Sequence, residues 1–182
     1  MAVKTYRDNL AIVVVIWVAN LLGYYTVYFH LRYLEGDYFS NVLAFGGCEA
    51  FAYSIAGILT PKLGLRVSHV LQLSLIVLGA LSYLVLKQPH PELLPIALGL
   101  ASLGINWGCS CNWNGNVQIF PVIYAASTNG ICNLFGRFAS ALAPLLAEAA
   151  PPKPMMTIMG VCLVGAALSV RLKVGKGRTT SA

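Results

Sequence analysis

Long apolar runs, separated by short polar segments, dominate the chain and predict a bundle of membrane-spanning helices. A helix needs about 20 mostly apolar residues to cross the hydrocarbon core of a bilayer. Six runs reach or approach that length, and they cover residues 10–29, 39–60, 67–86, 93–119, 127–148 and 155–174. The last run reaches residue 174 only if Arg171 and Lys173 extend their charged ends towards the membrane surface. The pattern therefore predicts an all-α, polytopic membrane protein with six transmembrane helices.

The segments between these runs carry the residues that end helices. They read "EGD" at 35–37, "TPKLGLR" at 60–66, "KQPHPE" at 87–92, "PVIYAA" at 121–126 and "PPKP" at 151–154. Proline and glycine interrupt helices, so each segment is expected to be a connection. The organisation predicted from this pattern is a terminal segment over 1–9, one six-helix bundle over 10–174 and a tail over 175–182.

Basic residues are unevenly distributed between the two predicted sides of the membrane. One side collects Lys4, Arg7, Lys62, Arg66, Arg171, Lys173, Lys176 and Arg178, whereas the other has Arg32, Lys87 and Lys153. Cytoplasmic loops of membrane proteins are enriched in lysine and arginine. We therefore expect both termini to lie in the cytoplasm.

The composition of the 182-residue chain supports a lipid-embedded protein. Hydrophobic residues make up 58% and charged residues 10%, against roughly 25% charged residues in a typical soluble domain. The net charge of +6 is not accompanied by a basic cluster interleaved with aromatic residues, so no nucleic-acid partner is expected. We therefore expect an integral, multi-pass membrane protein. No motif in the sequence distinguishes the plasma membrane from an organelle membrane.

The sequence carries no motif of an enzyme. It has no hydrolase, metalloprotease or nucleotide-binding signature, so we predict a protein without catalytic activity, cofactor or metal site. The five cysteines all fall in apolar runs, and an odd number in such positions argues against a disulfide framework. Cysteine chemistry therefore gives no functional clue.

Two opposite charges fall near the middle of predicted spans. Glu49 lies in the second span and Arg137 in the fifth. Ionisable groups inside a membrane are costly, and they face a protein interior or a water-filled cavity. One interpretation is a buried ion pair that only fixes helix packing. The other is that one or both charges face a central cavity and contact a charged substrate.

The fourth predicted span is unusually polar. Four asparagines, at 106, 112, 114 and 116, fall within eleven residues, which is more than helix–helix hydrogen bonding requires. This density predicts a helix that lines a cavity. Asn20 and Tyr24 in the first span are further candidates, although hydrogen bonding between helices explains them equally well. The complete set of substrate-cavity candidates is Glu49, Arg137, Asn112, Asn116, Asn106, Trp107, Tyr24 and Asn20.

Two stretches resemble the major facilitator superfamily of transporters, in the branch that carries organic anions, organic cations and carnitine. "CEAFAYSIAGILTPKLGLR" resembles the eighth helix and following loop of that branch, and "NVQIFPVIYAASTNGICNLFGRFASALAP" resembles the end of the tenth helix and the eleventh. The resemblance implies that the chain is the C-terminal six-helix half of such a fold. It also implies alternating-access transport of a small organic ion, with the substrate site between two halves. Arginine at the position of Arg137 is typical of anion and carnitine carriers, which favours an anionic or zwitterionic substrate.

The chain also departs from the motifs of that family. Remnants of the gating motifs remain at Pro61, Gly64, Arg66, Gln118 and Pro121. Pro61 stands in place of an aspartate and Gln118 in place of a glutamate, while Leu65 and Ala125 stand in place of arginines. The resemblance therefore implies a weakened cytoplasmic charge network. Two functions stay open: a transporter half acting with a six-helix partner half, or a non-transporting scaffold subunit of a larger membrane complex.

Overall fold

The computed structural model describes residues 2–33, 38–149 and 152–174, and nearly all of these residues are helical. The α-helices of this described part are α1 (Ala2–His30), α2 (Tyr38–Leu63), α3 (Leu65–Leu86), α4 (Leu94–Ile119), α5 (Val122–Ser140), α6 (Ala143–Glu148) and α7 (Lys153–Ser169). Short 3₁₀ turns follow α1 at Leu31–Tyr33 and precede α4 at Pro91–Leu93. The all-α prediction is confirmed.

Several helices have the length and apolarity that a bilayer requires. Four described stretches qualify, namely Thr5–His30, Leu65–Leu86, Leu94–Ile119 and Val122–Glu148. Helix α7 is a shorter apolar helix of 17 residues, and α2 is a 26-residue helix with Glu49 near its middle. The chain is an integral, multi-pass membrane protein. The count of six spans stays a prediction.

The fifth predicted span differs from the observed helices. It was expected as one helix over 127–148, but α5 already begins at Val122 and the helix is interrupted between Ser140 and Ala143. Proline lacks a backbone N–H, and its ring clashes with the carbonyl group four residues earlier. Pro144 therefore prevents the helix from running on past Ser140, whose carbonyl occupies that position. The early start follows Pro121, which has an extended backbone and immediately precedes the first turn of α5.

Helices α1 and α4 form the centre of the bundle. Helix α1 packs against α4, α5, α6 and α7, while α4 packs against α1, α2, α3 and α5. Helix α1 contacts α5 and α7 extensively, and helix α4 contacts α2 and α3. The side chains at the core, including Ile16, Leu73, Ile76 and Ile105, are inaccessible to solvent. Helix α2 lies against α4, and helix α5 lies mainly against α1.

Helices α3 and α4 approach closely because a glycine of each helix faces the backbone of the other helix. A Cβ atom on Gly79 would lie 2.5 Å from the backbone nitrogen of Ala101. A Cβ atom on Gly104 would lie 2.6 Å from the carbonyl oxygen of Gln72. The hydrophobic effect does not drive helices together in lipid, because the acyl chains are as apolar as the side chains. Helices there associate through close packing, which small residues allow. These glycines allow the most extensive helix–helix contact in the bundle.

One end of the bundle joins the start of α1 to the segment after α7. The side chain of Asn9 donates to the carbonyl of Lys173 at 2.8 Å and accepts from its N–H at 3.1 Å. The guanidinium of Arg66 donates through both Nε, at 2.9 Å, and Nη2 to the carbonyl of Leu172. Gly64 connects α2 to α3 with a φ of 81°, a conformation that suits glycine alone. Helix α7 therefore ends at Ser169, before the predicted limit at 174, and side chains from α1 and α3 hold residues 172 and 173.

The other end of the bundle joins the ends of α1, α3 and α6. His30 and Tyr83 share a buried hydrogen bond of 2.8 Å between Nε2 and the hydroxyl group. Arg32 forms an exposed ion pair of 3.3 Å with Glu148. The chain therefore places the beginnings and ends of its long helices alternately at two opposite ends of the bundle.

Candidate functional site

A cavity of about 190 Å³ opens between α1, α2, α4 and α5. Its wall combines two opposite charges with aromatic and amide side chains. The lining residues are Trp17, Leu21, Tyr24, Tyr25, Glu49, Tyr53, Cys109, Asn112, Trp113, Asn133 and Arg137. Typical small-molecule sites enclose roughly 300–1,000 Å³. The cavity that the described helices form is therefore smaller than a typical small-molecule site.

Arg137 supplies the cationic side of the cavity from α5. Its Nη1 donates to the hydroxyl of Tyr25 at 3.3 Å, and its Nε donates to Oδ1 of Asn133 at 3.4 Å. Both acceptors are neutral, and among the described residues no carboxylate lies within ion-pair distance of the guanidinium. A guanidinium has five N–H donors arranged to bind a carboxylate through two parallel hydrogen bonds. The cavity therefore presents a positive charge that is positioned but not neutralised.

Glu49 supplies the anionic side from α2, where it is half-buried. Tyr53 lies one turn further along the same helix, and Tyr24 of α1 lines the cavity beside them. Glu49 and Arg137 are both described and line the same cavity, yet they form no ion pair with each other. The direct ion pair between Glu49 and Arg137, which was one interpretation of the sequence, is therefore not formed. A substrate contact for either charge stays a prediction.

Aromatic rings form much of the remaining surface. Trp17 and Trp113 meet edge to face with their ring centroids 5.1 Å apart. Tyr24 meets Tyr25 at 5.3 Å and is stacked on Tyr28 at 6.3 Å. Such rings bury large apolar areas and attract cations to their faces. The wall can therefore contact the carbon skeleton of an organic molecule between its two charged sides.

Four of the eight candidates chosen from the sequence lie in the cavity wall, namely Glu49, Arg137, Asn112 and Tyr24. Two of the others hold neighbouring helices together. Trp107 donates from Nε1 to Oγ1 of Thr60 at 3.0 Å, joining α4 to α2. Asn116 accepts from the hydroxyl of Thr128 at 3.0 Å, joining α4 to the first turns of α5. These contacts are the helix–helix hydrogen bonds that an asparagine or tryptophan makes inside a bundle.

The remaining two candidates are buried away from the cavity. Asn106 donates to the carbonyl of Ser102 at 3.0 Å on its own helix. The side chains of Asn20 and Gln72 both approach Gly108. A Cβ atom added to Gly108 would lie 2.4 Å from Oδ1 of Asn20 and 2.4 Å from Oε1 of Gln72. Both amide groups are buried, and neither makes a hydrogen bond among the described residues. Gln72 is one of three polar residues on α3, with Ser68 and His69, whose burial the apolar pattern did not reveal.

Several cavity residues were missed from the sequence, and helical spacing would have found some of them. Tyr53 follows Glu49 by four residues, and Asn133 precedes Arg137 by four. Residues four apart share a helix face. Trp17 has no such signal, because it lies in an uninterrupted apolar run and only the contact between α1 and α4 brings it to the cavity.

The residues that the resemblance suggested as remnants of gating motifs lie at the end of the bundle that carries Asn9 and Lys173. Pro61 and Gln118 are exposed, and Pro121 precedes α5. Arg66 binds a backbone carbonyl group rather than a carboxylate. Leu65, which stands where the family pattern has arginine, is buried, and its side chain lies 2.8 Å from where a Cβ atom of Gly115 would be. Apolar packing therefore occupies the position of that charge.

No family model matches the chain. Among curated proteins, it is 33% identical over 125 residues to the steroid transmembrane transporter SLC22A24 of Microcebus murinus. It is 26% identical over 145 residues to solute carrier family 22 member 10 of Homo sapiens. The matches include 67% and 77% of this chain but only 22% and 26% of these relatives. The chain thus resembles part of a solute carrier and spans about a quarter of the length of the relatives it matches.

Proposed function

We propose that the chain is the C-terminal six-helix half of an organic-ion transporter and forms one wall of its substrate site. The observation that carries this proposal is the pair of unneutralised charges in one cavity, with Glu49 and Arg137 separated by aromatic surface. The membrane interior tolerates such charges when they face a charged ligand or water. The similarity to two solute carriers supports a transport function over a purely structural one.

The favoured substrate is an organic anion or zwitterion. The guanidinium of Arg137 has only neutral partners, Tyr25 and Asn133, so a carboxylate or sulfonate can bind it without displacing an anion. Glu49 then accepts the cationic group of a zwitterion, and the ring of Trp113 contacts the carbon skeleton. An organic cation alone would leave Arg137 without a counter-ion in a partly desolvated site.

Transport proceeds by alternating access against a second six-helix unit that closes the cavity. Both termini of this half lie in the cytoplasm. This orientation is supported by the basic residues Lys62 and Arg66, which sit near the end of the bundle where Asn9 meets Lys173. The six predicted spans, 10–29 to 155–174, supply the helices of this half, with the fifth interrupted at Pro144.

Uptake into vesicles tests this function. Membrane vesicles are prepared from cells that express the full chain, so that its six-helix partner unit is present, and uptake of benzenesulfonate, a permanently charged organic anion, is measured for the native protein, Arg137→Ala and Lys153→Ala. The second variant removes an exposed positive charge outside the cavity and serves as the control. We expect Arg137→Ala to lower uptake at least about tenfold, since a charge-assisted, bidentate hydrogen bond is lost. Unchanged uptake would remove Arg137 from the substrate site.

A second candidate function is a non-transporting scaffold in a larger membrane complex. The observation that favours it is the replacement of gating charges by fixed packing, with Leu65 buried against Gly115 and Arg66 bound to a backbone carbonyl. An apolar contact of this kind does not separate as readily as an exposed ion pair. Stable co-purification with a large assembly, together with no uptake of any organic ion, would favour this function over transport.

A further inference from the structure

The two helices that flank the cavity expose matching faces. Helix α2 presents Gly46, Ala50, Tyr53 and Gly57, and helix α5 presents Ala126, Gly130, Asn133 and Arg137. Both sets follow the spacing i, i+4, i+7, i+11, so each set lies along one side of its helix. A Cβ atom on Gly46, Gly57 or Gly130 would meet nothing within 4 Å. The small residues leave room for another helix to approach both rims of the cavity.

Lipid alone does not suit these faces. Arg137 is exposed and Glu49 is only half-buried, although Glu49 lies near the middle of α2 and Arg137 lies near the middle of the apolar stretch Val122–Glu148. Charged side chains at such depth are expensive unless protein or a water-filled cavity covers them. The cavity of about 190 Å³ is also only partly enclosed by the described helices. A covering surface with a cation opposite Glu49 and an anion opposite Arg137 would lower this cost.

A second copy of the same chain meets both requirements. Two copies inserted in the same orientation are related by a two-fold axis along the membrane normal, which keeps every residue at its own depth. Because Glu49 and Arg137 line one cavity, they share a depth, and the axis brings α2 of one copy to α5 of the other. The operation repeats this arrangement on both sides, so each charge faces an opposite charge across the cavity, with room for a substrate between them.

We propose that two copies of this chain dock through α2 and α5, so that Glu49 of each copy faces Arg137 of the other across one shared cavity. The inference rests on the proposed function, because it names the six-helix unit that closes the substrate site. It differs from closure by an unrelated half, which would need its own complementary charges at both positions. The second copy supplies them with no added component.

Exchange of the two charges tests the dimer directly. Full chains with two different affinity tags are co-expressed, and the amount of one that co-purifies with the other is measured in mild detergent. Glu49→Arg or Arg137→Glu alone, in both copies, sets like charges against each other, and we expect co-purification to fall at least about tenfold. Co-expressing one tag with Glu49→Arg and the other with Arg137→Glu restores both opposite-charge contacts, so recovery is expected.

The double variant Glu49→Arg/Arg137→Glu separates pairing between copies from pairing within a copy. Contacts between copies predict recovery both for the double variant and for the mixture of single variants. If the double variant recovers and the mixture does not, the two charges act within one chain and the dimer is overturned. Unchanged co-purification for Glu49→Arg, for Arg137→Glu and for the double variant would overturn the dimer as well.

A steric variant tests the same interface without altering charge. Gly57→Leu places a large side chain where the monomer has open space, so the fold is retained while close approach to a second copy is blocked. Gly160→Leu, on the exposed side of α7 with equally open space, is the matched control. We expect at least about tenfold loss of co-purification for the first and none for the second. Equal behaviour of the two variants contradicts the proposed face.

Measuring uptake in the same samples separates this inference from the proposed function. Copies that pair as predicted but take up no organic ion would refute transport and leave the dimer standing. Native uptake by a chain whose copies do not co-purify would refute the dimer and leave transport standing.

Discussion

Replacing Gly79 by alanine tests whether the tight contact between α3 and α4 holds the bundle together. The new Cβ atom would lie 2.5 Å from the backbone nitrogen of Ala101 and 2.7 Å from its Cβ atom. Ordinary contacts between carbon atoms are about 3.5–4.0 Å. Because the obstructing atoms belong to the backbone and Cβ of a helix, no side-chain rotation relieves the clash, and the helices must separate.

The expected magnitude combines two opposing effects. Overpacking in a well-packed interior costs about 1–3 kcal/mol. Alanine in place of glycine in a helix returns about 0.5–1 kcal/mol. Gly79→Ala should therefore lower the free energy of unfolding by up to about 2.5 kcal/mol. Gly160→Ala receives only the favourable effect, because its Cβ atom meets nothing within 4 Å.

The measurement is equilibrium unfolding by sodium dodecyl sulfate in mixed micelles, followed by tryptophan fluorescence. Trp17 and Trp107 are buried in the bundle and report its loss. We expect the midpoint to move to lower detergent for Gly79→Ala and to equal or higher detergent for Gly160→Ala. Equal shifts for the two variants would show that α3 and α4 do not rely on this close contact.

Three further changes test the other contacts. Thr60→Val removes the acceptor of the indole N–H of Trp107 and should lower the free energy of unfolding by about 0.5–1.5 kcal/mol, whereas the exposed Ser54→Ala should not. Gly64→Ala forces alanine to a φ of 81° and should cost about 1–3 kcal/mol in the same detergent titration; no loss would contradict the bend. Asn9→Ala removes both hydrogen bonds to Lys173, so hydrogen exchange of that amide should accelerate about tenfold, and unchanged exchange would refute the clasp.

Much of the fold could be predicted from the sequence because lipid imposes a simple rule on every spanning segment. Apolar runs of spanning length had to be helices, since backbone groups in hydrocarbon must bond within the segment. Interruptions within a run were harder to place. Pro144 ends α5 at Ser140, but the surrounding apolar residues conceal that break from a hydropathy pattern. The hydrogen bonds between the Asn9 side chain and the Lys173 backbone join residues 164 positions apart, and no local sequence pattern predicts them.

The candidate site could be predicted in part, and charge made the difference. Glu49 and Arg137 stood out because a charge in an apolar run has few purposes, and both line the cavity. Asparagines were ambiguous, since the same amide lines the cavity at residue 112 and joins α4 to α5 at residue 116. Trp17 could not be predicted, because only tertiary packing turns an apolar ring of α1 towards Trp113.

The charge selectivity of uptake tests the central claim most directly. Vesicles containing the native chain, Arg137→Lys or Arg137→Asp are compared for uptake of benzenesulfonate and of tetraethylammonium, a permanent organic cation. If Arg137 binds the anionic group of the substrate in the cavity between α2 and α5, lysine should retain anion uptake in part. Aspartate should abolish anion uptake and shift the ratio towards the cation by at least about tenfold. The same anion-to-cation ratio in all three proteins would contradict the account.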